Sequence, residues 1–96
     1  MALSYTREYK RIIDELAEGI LKIHKFYEFF EMEERDWNQL SHDEKCECAK
    51  TLADDVFYAL GRESFMNMCD SIIQYDEGKG LIAILEKDKV LEKIYL

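Results

Sequence analysis

The stretch HDEKCEC sets His42 and Cys46 four residues apart, one helical turn, with Cys48 close behind. Imidazole nitrogen and thiolate sulfur are zinc ligands, so metal binding is the first chemistry to test here. On a helix, however, Cys48 projects about 160° away from Cys46, so the thiolates cannot close on one ion. No Cys-x-x-Cys partner exists to complete a tetrahedral set, and Cys69 is remote in sequence. Cys46 and Cys69 read instead as small apolar residues in core-facing stripes.

Other chemistries fare no better. A di-iron bundle needs paired Glu-x-x-His motifs, but Leu21 stands three before His24 and Gln39 three before His42. Ser64, Ser71 and the cysteines have no histidine at a suggestive spacing for nucleophilic catalysis. The GKG at 78–80 lacks the upstream glycine and the following Ser or Thr of a phosphate loop. Asp54 and Asp55 are adjacent and point to different sides of a helix, so they form no catalytic dyad. The expectation is a protein that is not an enzyme and takes no metal and no cofactor.

What the chain does concentrate is ring surface and negative charge. HKFYEFFEMEERDW, His24 to Trp37, holds five aromatic residues and five acids. At 100° per residue Phe26, Tyr27 and Phe30 continue an apolar stripe, whereas Phe29 and Leu21 fall on the polar side and Trp37 lies in an acidic segment. Leu21, Phe29 and Trp37 would make a contact patch, rimmed by Glu31, Glu33, Glu34 and Asp36. In the alternative, residues 32–40 fold back and Trp37 covers Phe29.

Net charge is −8, and residues 28–55 hold most of it. That balance argues against direct nucleic-acid binding, which needs Lys and Arg to neutralise phosphates. It favours a protein partner with a basic surface, for instance one that itself handles nucleic acid. The leading expectation is a non-catalytic intracellular interaction module, a regulator or inhibitor. The alternative is a homo-oligomer joined through the aromatic end of the first helix and enclosing a small-ligand pocket. With no long apolar run, no leader-like segment and an odd number of cysteines, three, the chain reads as cytoplasmic, reduced and clear of membranes.

The elements that must position these residues read as helical. There is no proline, and glycine occurs four times in 96 residues, a composition that suits helices joined by short loops. Tyr5, Tyr9, Ile12, Ile13, Leu16, Ile20, Ile23, Phe26, Tyr27 and Phe30 share one face, predicting a single N-terminal helix of about 40 Å. Its phase holds past Gly19, which marks a close approach or mild bend. Ser41 and Glu44 form a capping box that opens a helix, and Gly61 closes it. Phe65, Met66, Met68, Cys69, Ile72, Ile73 and Tyr75 span half a helical circumference, predicting a helix over 63–76 buried on two sides. The tail 81–96 reads as two short helices broken near Lys87 and Asp88, with a β-hairpin disfavoured because Lys-Asp is a poor two-residue turn. The expected architecture is a single all-α domain, 1–96, a compact bundle of four to five helices.

Overall fold

A computed structural model of the chain describes residues 5–96. The fold is α+β, which corrects the all-α expectation. Helices α1 (Tyr9–Leu21), α2 (Glu34–Asn38) and α3 (His42–Leu60) precede strands β1 (Phe65–Met68), β2 (Ser71–Asp76), β3 (Leu81–Glu86) and β4 (Lys89–Tyr95). The strands form one antiparallel meander in the order β1-β2-β3-β4. Helix α1 packs on α3 and β4, and α3 reaches β1, so the helices cover one face of the sheet.

Helix α3 starts where its cap demands. The Ser41 hydroxyl accepts from the Glu44 N–H at 3.1 Å, and the Glu44 carboxylate accepts from the Ser41 N–H at 2.9 Å. Each satisfies an N–H that the helix start would leave orphaned. Helix α1, by contrast, is half the expected length. Its stripe is real, since Ile12, Ile13, Leu16 and Ile20 are buried, but the chain turns after Leu21. A 3₁₀ turn, Phe26–Phe30, follows between two left-handed residues, Lys25 (φ 58°) and Glu31 (φ 57°). Each such non-glycine residue costs about 1–2 kcal/mol. The reversal brings Phe26 and Trp37 into the core cluster, where a straight helix would have left them standing clear.

The C-terminal third is strand because its apolar residues alternate once pairing is allowed. Met66, Met68, Ile73, Ile82, Ile84 and Ile94 face the helices, and all but the half-buried Met66 are fully buried. Two neighbouring strands read as one sequence supply the same set of residues as a wide helical arc, so the pattern alone did not separate them. The turn at Lys87 and Asp88 forms without glycine. Both residues take positive φ, 51° and 67°, as a tight hairpin requires, and the Glu86–Lys89 and Leu85–Val90 pairs hold them there.

Register within β4 is reset by a bulge. Ile84 faces Glu92 and Leu85 faces Val90, leaving Leu91 as the extra residue. Without it the side-chain alternation would turn Ile94 away from the core; with it Ile94 pairs Ile82 and is fully buried. The bulge also aims Glu92 at α1, where its carboxylate meets Lys22 at 2.7 Å.

Gly19 sits at this helix–sheet contact. A Cβ there would lie 2.7 Å from Ile84 Cδ1 and 3.2 Å from Glu92 Cβ, so the glycine is a close-approach point and not a bend. At the other end of α1, Tyr9 lies edge-on to Phe57 at 5.1 Å and its hydroxyl donates to Asp54 at 2.8 Å. Burial and that hydrogen bond push its phenol up to about 12. Gly19→Ala is expected to destabilise the fold by about 1 kcal/mol net, overpacking outweighing the gain in helix propensity. Adding Ile84→Val, which removes the clashing methyl, is expected to cost less than the sum of the single changes, as urea denaturation would measure.

Candidate acidic and aromatic docking site

The reversal after α1 builds the site. Within it Trp37 is 8 % exposed. Its ring lies edge-on to Phe26 at 4.7 Å and stacks on Tyr27 at 6.2 Å. Lys45 reaches over the ring, 5.4 Å from its centre. Trp37 is thus the hub beneath the turn and not the exposed anchor that its acidic neighbourhood suggested. Residues 32–40 do fold back, but the rings they cover are Phe26 and Tyr27. Glu33 and Glu34, at the start of the short helix α2, keep to water while the helix carries Trp37 inward.

Phe29 remains outside, 47 % exposed, edge-to-face with Phe30 at 6.1 Å. In the same stretch of chain Glu28, Glu31, Glu33, Glu34 and Asp36 are all exposed. Their one cationic contact among the described residues is Arg35 with Glu33, at 4.0 Å and on the surface. The field of these acids is felt by Tyr27, whose phenol is raised by burial and then by the carboxylates of Glu34 and Glu28. Leu21 is not part of the patch. It lines a cleft of about 470 Å³ between α1 and α3, with Asp14, Glu18, His42 and Cys46.

Three contacts that sequence reasoning missed mount the turn on the sheet. The Glu86 carboxylate accepts the His24 N–H at 3.1 Å and the Ser71 hydroxyl at 3.2 Å. The Cys69 thiol donates to the Lys25 carbonyl at 3.5 Å. The His24 N–H, with a smaller share from Ser71, holds Glu86 below the usual carboxylate range. Ser71 is the one buried polar residue among those described, a signal that no sequence pattern offered. Cys69, expected in an apolar helical stripe, is exposed at the β1–β2 turn with φ 55°.

The thiols of Cys46, Cys48 and Cys69 are unpaired. Cys46 Sγ lies 3.5 Å from His42 Nε2, the distance their one-turn spacing dictates. Among the described residues no three His, Cys, Asp or Glu side chains converge on a point that could hold a metal ion. No helix there is long and apolar enough to cross a membrane.

Compared with known proteins, the chain matches no family model, no curated sequence and no solved structure. The site's own geometry therefore carries the functional argument.

The Glu86 clamp is pH-sensitive. Because the folded carboxyl is lowered from 4.5, its contribution to stability is complete above that value and is lost as pH falls through the folded one. Glu86→Ala is expected to lower the urea midpoint at neutral pH and to flatten its fall below about pH 5, measured as a pH series.

Proposed function

We propose that this protein is a non-catalytic interaction module that docks a partner protein with a basic surface through the Phe29–Phe30 turn and its acidic rim. One observation carries the reading: an exposed ring pair, held on a turn closed by two left-handed residues, stands inside five exposed acids. Left-handed non-glycine residues persist only where packing over-determines them, so the turn presents its rings pre-organised. Burying the rings supplies affinity, and Glu31, Glu33, Glu34 and Asp36 steer and select.

A basic partner suits this end better than a second copy does. Self-association here would set Glu28, Glu31, Glu33 and Glu34 against their own duplicates, and like charges opposed across an interface cost several kcal/mol. The acids leave no complement for phosphate, so direct nucleic-acid binding does not fit. With its thiols unpaired, the module works in the cytoplasm as a regulator or inhibitor.

The test is affinity capture at low salt with wild type, Phe29→Asp, and the pair Glu33→Lys with Glu34→Lys. Wild type is expected to retain basic proteins that Phe29→Asp loses by at least about tenfold in affinity. The double charge reversal is expected to slow association, with the difference shrinking as salt rises past about 0.15 M. Equal retention by all three proteins would overturn the reading.

A further inference from the structure

The helices cover one face of the sheet; the other is open among the described residues. Register aligns Asn67, Ile72, Leu85 and Val90 on that face, then Phe65, Gln74, Ala83 and Lys93, then Asp76, Leu81 and Tyr95. Phe65, Ile72, Val90 and Tyr95 are 54, 42, 44 and 55 % exposed. Leu81 and Ala83 are buried at 5 and 7 %, yet lie outside the core cluster. An antiparallel sheet with one face in water ordinarily alternates apolar-in with polar-out. Here Phe65, Ile72, Val90 and Tyr95 stand exposed among only four polar outward residues, Asn67, Gln74, Asp76 and Lys93, more apolar surface than a face in water ordinarily shows.

We propose that a second copy of this chain covers it, giving a two-fold, face-to-face sheet dimer. Charge is the first argument. The chain carries −8, but the rows on this face hold one acid, Asp76, and one base, Lys93, and so are neutral. Two copies can meet there without opposing acid to acid, and neither a basic nor an acidic partner finds a complement.

Self-complementarity is the second. Asp76 on β2 and Lys93 on β4 flank β3, and the point midway between them falls between Leu81 and Ala83. A two-fold axis in the plane of the interface, through that point and perpendicular to the Asp76–Lys93 line, sets each copy's Asp76 opposite the other's Lys93. The ion pairs then lie among the exposed Phe65, Ile72, Val90 and Tyr95, with the buried Leu81 and Ala83 beneath the axis. Among the described residues Lys93 has no ion-pair partner within its own chain. This rotation crosses the two sets of strands steeply, in the orthogonal class of sheet packing.

The size of the face sets the strength. Four strands spaced about 4.8 Å and about 20 Å long give roughly 400 Å² per side in projection, small for a stable interface. The dimer is therefore expected to be weak and to form only at high concentration. It uses none of the residues of the Phe29–Phe30 turn, so either proposal can fail without the other.

Sedimentation equilibrium up to about 500 µM is the experiment, on wild type, Ile72→Lys, Val90→Lys, Lys93→Asp, and Lys93→Asp combined with Asp76→Asn. The asparagine keeps the oxygen that accepts the Lys79 N–H at 3.0 Å and so preserves the β2–β3 turn. Circular dichroism and thermal melts check that each variant folds, and Ile72 and Val90 each read the face should the other substitution unfold the chain. The expected result is a wild-type monomer–dimer equilibrium that Ile72→Lys or Val90→Lys weakens by about tenfold or more. Lys93→Asp is expected to weaken it and Asp76→Asn to restore most of the loss. A wild type that stays monomeric at the highest concentration overturns the proposal and leaves the face to a different partner. A dimer untouched by these changes but dissolved by Phe29→Asp overturns it too, placing self-association at the aromatic end.

Discussion

The close contact between α1 and the sheet at Gly19 is the constraint from which the rest follows. With no side chain at that position, the helix lies against Ile84 and Glu92, near enough that a methyl group would collide with Ile84 and crowd Glu92. That proximity is what lets a short chain form a two-layer core from one helix face and one sheet face. The bulge at Leu91 is its counterpart on β4, returning Ile94 to the interior and offering Glu92 to Lys22. Helix and strand are thus matched at one place by a missing side chain and an extra residue.

The aromatic turn depends on that match. Once α1 is seated, the chain leaving it arrives at the C-terminal end of β3, where Glu86 takes the His24 N–H. The chain must then reverse, and two left-handed residues close the reversal around Phe26. Trp37 seals it from the far side, stacked on Tyr27 and edge-on to Phe26. What is left outside is determined by exclusion. Phe29 and Phe30 cannot both enter a space that Phe26 and Trp37 fill, and the acids beside them stay with the solvent.

The molecule therefore presents surfaces of different character. One end is strongly acidic beside a small ring pair; the sheet face away from the helices is neutral, with exposed Phe65, Ile72, Val90 and Tyr95. This division assigns different tasks to different physics. Long-range steering is what the proposed docking at the acidic end would use, since its carboxylates are exposed to water. Short-range, shape-dependent association is what the proposed sheet dimer would use, since its side chains stand in register rows.

The sequence by itself determined the local features. The capping box of Ser41 and Glu44 and the helix it opens are legible because every interaction involved lies within a turn or two of chain. So are the buried stripe of α1 and the concentration of acid across residues 28–55, whereas Gly19 reads equally as a close approach or a mild bend until the sheet is in place. The tertiary structure alone decided where α1 stops, which ring of the aromatic stretch goes inside, and that 65–95 is sheet. Each of those outcomes rests on a partner distant in sequence. Lys25 and Glu31 take left-handed conformations because Phe26 and Trp37 gain a core; Lys87 and Asp88 do so because β3 and β4 pair on either side of them. Strand pairing and ring burial are contacts between chain segments, and a periodicity read along one segment holds no term for what lies across from it.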